Sequence, residues 1–113
     1  MKLIVDQIGA VAVISFPESN LDAGNNRAFV EAMRPIIDQN QKIIFDMGTL
    51  RFVDSSGLGS IMLCSRRVKD AGGLLKLCGL SESVRALFEL VRMNRVFEIY
   101  DTREEAIQAF ENP

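Results

Sequence analysis

Apolar positions recur along this chain with two spacings, and the change from one to the other marks out its elements. Leu3, Val5 and Ile8 alternate imperfectly, and Val11-Ala12-Val13-Ile14-Ser15-Phe16 is a nearly continuous apolar run. Two strands are expected there, the second more fully buried. Gly9-Ala10 leaves room only for a turn between them, which makes an antiparallel hairpin. A polar loop runs from Pro17 to Gly24. Phe29, Val30, Met33, Ile36 and Ile37 then share one face of a helical period. Pro35 lies inside that pattern and should kink or bound the helix, because it lacks an N–H and its ring crowds the preceding turn. Lys42-Ile43-Ile44-Phe45-Asp46 reads as a central buried strand, and Met47 to Val53 as a connection. Leu58, Ile61, Met62, Ser65 and Val68 form the inner face of the next helix, with Met62 read as core. Ser60, Arg66, Lys69 and Asp70 lie mostly off that face, and Gly72-Gly73 ends the helix.

Leu74-Leu75-Lys76-Leu77-Cys78 is the next strand, and Ser81 is a plausible cap for a helix with the stripe Val84, Leu87, Phe88 and Val91. Val96-Phe97-Glu98-Ile99-Tyr100 is a last short strand. Thr102 with Glu105 forms a capping box ahead of Ala106, Ile107 and Phe110. The order is β-β-α-β-α-β-α-β-α. It predicts an α/β fold with a mixed, mostly parallel sheet of about five strands and about four helices. No internal repeat or low-complexity segment interrupts it.

A chain of 113 residues suits one domain, 1-113, large enough to bury a core without staples. Its 48% hydrophobic content argues against disorder. A formal net charge of -2 favours neither nucleic acid nor an anionic membrane. There is no histidine, which removes the commonest general base and metal ligand. Cys64 and Cys78 are too few for a structural zinc site and read as reduced core residues. No metal or cofactor is expected. Asp6 interrupts the N-terminal apolar stretch well short of the roughly 7–15 residues of an export signal. No segment approaches the roughly 20 apolar residues of a membrane span. A cytoplasmic protein is expected.

The segment Asp54-Ser55-Ser56-Gly57, between an apolar connection and a helix, has two readings. Asp and Ser are preferred N-caps, and glycine permits a tight turn, so a plain helix start accounts for all of it. The same geometry also suits a phosphoserine. A helix N-terminus carries unpaired N–H donors and about half a positive charge. A phosphate adds nearly two negative charges and three acceptors.

Phe52-Val53-Asp54-Ser55-Ser56-Gly57-Leu58-Gly59 resembles the signature of the STAS domain of bacterial anti-sigma factor antagonists. The likeness takes in Leu21-Asp22, Ile43-Ile44-Phe45-Asp46, Gly72-Gly73 and Val84-Arg85-Ala86-Leu87-Phe88, and so spans essentially the whole chain. The resemblance implies that Ser55, the first serine after the aspartate, is phosphorylated by a GHKL-type serine kinase that is itself an anti-sigma factor. A PP2C-type phosphatase would remove the phosphate. The unphosphorylated form would bind the kinase, and phosphorylation would release it. Ser56 is the alternative acceptor, with helix capping as its plain role. Asp54 and Gly57 would support the turn. Asn20, Leu21, Asp22, Ser56, Leu58 and Gly59 would meet the partner. The chain would be a substrate and not an enzyme, and a monomer when free.

Ser19 replaces a glycine common in the family pattern, and Asn20, Asn25 and Asn26 crowd the same loop, which bears on partner identity. Arg66, Arg67 and Lys69 read as a solvated face. A second function compatible with the fold is a STAS scaffold or transporter-associated subunit that binds constitutively. Such proteins often lack the acceptor serine. An enzyme would need more than a pairing of Asp46 with Asp54, since no nucleophile–base couple accompanies them.

Overall fold

The computed structural model describes residues 1–112. The chain forms β1 (Ile4–Ile8), β2 (Val11–Ser15), β3 (Asn20–Leu21), α1 (Asn26–Gln39), β4 (Lys42–Asp46), β5 (Phe52–Val53) and α2 (Ser55–Asp70). It continues with β6 (Leu74–Cys78), α3 (Glu82–Leu90), a 3-10 turn (Met93–Arg95), β7 (Ile99–Tyr100) and α4 (Arg103–Glu111). Five strands make one sheet in the order β1-β2-β4-β6-β7. Only β1 pairs antiparallel, from Ile4 opposite Ser15 to Ile8 opposite Val11. The other three pairings are parallel, as an alternation of strands and helices requires. The expected sheet and four helices are present.

Side-chain alternation sends each strand to two different cores. Ala12, Ile14, Ile43, Phe45, Leu75 and Leu77 point to the face covered by α1, α2 and α3, among Phe29, Met33, Ile61, Cys64, Val68, Val84 and Phe88. Phe16, Phe29 and Phe45 stack there with ring centroids 5.2, 5.7 and 5.6 Å apart. Val11, Val13, Ile44 and Cys78 point the other way, onto Ala106 and Phe110 of α4. Lys76 shares that second face and is only 5% exposed. Its Nζ donates to Glu98 Oε2 at 2.8 Å and lies 4.8 Å from the Phe110 ring centroid. Both cysteines are free and buried. Burial pushes each thiol up to about 12, which leaves little reactive thiolate.

Four details differ from the periodic pattern. Asn20-Leu21 and Phe52-Val53 are not plain loop and connection: they pair parallel as a two-stranded sheet of their own. The last strand is shorter than Val96–Tyr100, because Met93–Arg95 coil into a 3-10 turn and Val96 is left exposed. Pro35 does not bound α1, which runs through it with the proline on the exposed side. On α2 the buried face is rotated. Ser60 lies inside, its hydroxyl donating to the Gly57 carbonyl at 2.7 Å, whereas Met62 is 38% exposed.

Candidate functional site

The small β3–β5 sheet sets the start of α2. Asn20 is in register with Phe52 and Leu21 with Val53. The Asp54 amide donates to the Leu21 carbonyl at 3.3 Å. Asp54 is the N-cap of α2: one carboxylate oxygen accepts from the Gly57 amide at 2.8 Å, the other from the Ala23 amide at 3.1 Å. One side chain therefore satisfies an orphan donor of the helix and ties the helix start to the loop before α1. Gly57 is buried against Leu21, where a Cβ would stand 2.1 Å from the Leu21 carbonyl oxygen. Only a glycine allows that approach.

With Asp54 as the cap, capping is not the role of Ser56. Ser56 is half-buried and lines a cleft between α1 and α2 of about 430 Å³ with Asn26, Arg27, Val30, Glu31, Gly59, Ser60 and Leu63. Ser55 is the first residue of α2 and is exposed. Among the described residues its hydroxyl has no hydrogen-bond partner.

The loop before α1 holds itself together. Asp22 accepts from Asn20 Nδ2 at 2.8 Å and from the Gly24 amide at 2.9 Å, while its own amide donates to Asn25 Oδ1 at 2.9 Å. Asn25 Nδ2 donates to the Asn20 carbonyl and to Glu18, both at 2.8 Å. Asn20 and Asn25 are thus the internal scaffold of the loop. Asn20 and Asp22 remain half-exposed near Ala23 and Asp54.

Leu21 departs from the expected partner-contacting set. Its side chain is fully buried in the main core, so it supports the site from beneath and offers no exposed surface. Leu58 is half-buried against the same core. Gly59 is exposed with open space around it. Phe52, which the sequence placed in a connection, stands exposed on β5 three residues before Ser55.

Asp46 and Asp54 do not pair. Asp46 accepts from Arg103 Nε at 3.2 Å and Nη2 at 3.0 Å. Arg103 also donates to Asp6 at 2.8 Å and to Ser15 Oγ at 3.1 Å. The hydrogen bond to Asp6, then that to Asp46, holds the Arg103 pKa above its ordinary value. This cluster was missed in the sequence. Its signal was available: Asp6, Ser15 and Asp46 are polar residues of three neighbouring strands that all fall on the α4 face. Among the described residues no group of three or more His, Cys, Asp or Glu is placed to hold a metal, and no helix is long and apolar enough to cross a membrane.

Comparison with known proteins agrees with this geometry. The STAS domain family model matches residues 2–106. BtrV of Bordetella bronchiseptica, a candidate anti-sigma factor antagonist by name, is 27% identical over 111 residues, 97% of this chain and 95% of BtrV. The anti-sigma-B factor antagonist of Bacillus subtilis is 30% identical over 78 residues, 69% of this chain and 72% of that relative. Among solved structures, the unphosphorylated form of the anti-sigma factor antagonist SpoIIAA superposes with a TM-score of 0.74 at 23% identity, covering 99% of this chain and 100% of that one. Its phosphorylated form, described as a Bacillus cell fate determinant, gives 0.73 at 22% identity, covering 96% of this chain and 99% of that one. That likeness is one of fold.

Proposed function

The chain belongs to the STAS domain family, and from that premise we propose that it is an anti-sigma factor antagonist in a partner-switching pathway, with Ser55 as its phosphoacceptor. Unphosphorylated, it binds a GHKL-type serine kinase that is also the anti-sigma factor. Phosphorylation at Ser55 releases that partner, and a PP2C-type phosphatase resets the switch. The chain is a cytoplasmic substrate and messenger, not a catalyst. The names of the curated relatives support the antagonist role.

One observation carries the choice of residue. Ser55 is exposed with an unpartnered hydroxyl, because its neighbour Asp54 does the capping. An in-line phosphoryl transfer needs an acceptor oxygen that another protein's active site can reach, and it takes its metal and base from the kinase. Ser56, the alternative acceptor, is turned towards the α1–α2 cleft. A phosphate on Ser55 would sit at the positive end of α2, where the first-turn amides welcome it. It would also place two negative charges beside Asp54 and opposite the nucleotide phosphates still held by the kinase. A loss of ~3 kcal/mol from that repulsion and the lost fit weakens binding more than a hundredfold. Asn20, Asp22, Leu58 and Gly59 complete the partner surface.

The test is incubation with a serine kinase of this type and ATP, followed by mapping of the phosphosite by mass spectrometry. Phosphate on Ser55 is the expected result, and phosphate on neither Ser55 nor Ser56 would overturn the reading. In binding assays Ser55→Ala should keep the kinase and Ser55→Asp should lose it. Equal affinity of the two variants would indicate a constitutive STAS scaffold instead.

A further inference from the structure

A second surface lies further along α2. Ser55, Gly59, Met62 and Arg66 follow one another at helical spacing on its exposed side. Beyond Gly59 this stripe borders a groove of about 200 Å³ lined by Met62, Ser65, Arg66 and Lys69 of α2 and by Val96 and Phe97 after the 3-10 turn. Its rims are apolar: Met62 is 38% and Val96 54% exposed. Its floor is polar. Ser65 is 9% exposed, yet its hydroxyl makes no hydrogen bond to a described residue. It is not a sealed, unsatisfied atom either, so it opens onto the groove.

Both charged residues that line the groove are cations. Arg66 and Lys69 take part in none of the ion pairs among the described residues, and nor do Arg92 and Arg95 on the segment that supplies Val96. Leu90 to Phe97 carries two arginines and no acid, in a chain whose net charge is -2. Arg92 is also the one non-glycine residue with a left-handed backbone among those described, at φ 63°. That position just past a helix end is where glycine is ordinarily found, because other side chains strain there. An arginine held in that conformation costs stability relative to glycine.

We propose that the α2–3-10 groove is a second docking surface, which takes an acidic segment of a partner protein and seats an apolar side chain between Met62 and Val96. Carboxylates on either side of that anchor meet Arg66 and Lys69, Arg92 and Arg95 add positive charge from the segment before Val96, and the Ser65 hydroxyl meets the backbone of the bound segment. A recessed groove of this size fits one inserted side chain better than the flat contact made by a lipid surface. The surface does not depend on phosphorylation of Ser55, although the shared stripe of α2 would let one partner span both.

The experiment is an NMR titration of the ¹⁵N-labelled chain with a synthetic peptide of glutamates flanking leucines, against a control with lysines in place of the glutamates. The expected shifts cluster at Met62, Ser65, Arg66 and Val96 with the acidic peptide alone. Arg66→Glu with Lys69→Glu should weaken binding about tenfold or more. Arg92→Gly should weaken it while raising the unfolding midpoint, which separates lost contact from lost fold. Equal binding of the lysine peptide, shifts confined to the Ser55 loop, or no localised shift would each overturn the proposal. So would displacement of the acidic peptide by phosphatidylglycerol vesicles, which would mark the patch as a membrane contact. None of these outcomes bears on Ser55 as acceptor.

Discussion

An alanine methyl at Gly57 would stand 2.1 Å from the Leu21 carbonyl oxygen and 2.7 Å from its carbon, both of them backbone atoms held in the β3–β5 pairing. The only relief is to push α2 away from β3, so Gly57→Ala should cost about 2–3 kcal/mol, read as a lowered urea midpoint. Two residues on, Gly59 is an exposed helical position with nothing within 4 Å of a new Cβ. Gly59→Ala should therefore stabilise by about 0.8–1 kcal/mol through helix propensity alone. A stable Gly57→Ala variant would sink the account of how the site is held. The pair also separates two jobs within one short motif. Gly57 lets backbone meet backbone inside the molecule, and Gly59 leaves bare backbone outside, where the proposed kinase approaches. Asp54 belongs with Gly57, since its carboxylate joins the helix start to Ala23.

At the scale of the elements, β6 buries a lysine whose partner lies just ahead of β7. Lys76 donates to Glu98, and that hydrogen bond, more than any other contact, holds the Glu98 carboxyl below its ordinary pKa. A carboxyl with a lowered folded pKa stabilises above its unfolded value, and the benefit fades as pH falls through the folded one. Glu98→Gln should thus cost about 1–2 kcal/mol at neutral pH by leaving a buried ammonium short of its partner. Urea midpoints of variant and wild type should converge in acid, below the ordinary glutamate pKa. A gap that stays constant with pH would contradict the ion pair. Lys76 also shows where the sequence stops being legible. Leu74-Leu75-Lys76-Leu77-Cys78 reads as a strand, but nothing local names Glu98 as the partner 22 residues away. The four helices and five main strands were legible because each carries a period over several residues. The strands β3 and β5 were not, because two residues carry no period and their pairing is non-local. Met62 was misread because helical spacing alone cannot say that Ser60 turns inward and satisfies its hydroxyl on Gly57. At the candidate site the signature gave the turn and the serine proposed as acceptor, whereas the burial of Leu21 and the choice of Asp54 over Ser56 as cap needed the third dimension.

At the scale of the molecule, the sheet has a thick side under α1, α2 and α3 and a thin side under α4 alone. The thin side is closed by Arg103, which reaches Asp6 on β1, Ser15 on β2 and Asp46 on β4. Asp46 in turn accepts from the Gly48 amide at 3.1 Å, in the turn that leads to β5 and Ser55. Arg103→Met leaves two carboxylates without their cation and should cost about 1–2 kcal/mol. The contact between Arg103 and Asp6 spans 97 positions of the chain. Closing so long a loop is among the costliest steps in entropy, so it belongs after the barrier to folding rather than before it. The effect of Arg103→Met should then fall on one limb of the chevron. Refolding rates should match the wild type, and unfolding should be about five- to thirtyfold faster. A slowed refolding limb would place the contact in the nucleus instead. The arginine that joins the two ends of the chain thus governs how long a folded molecule lasts, and has little say in how soon it forms.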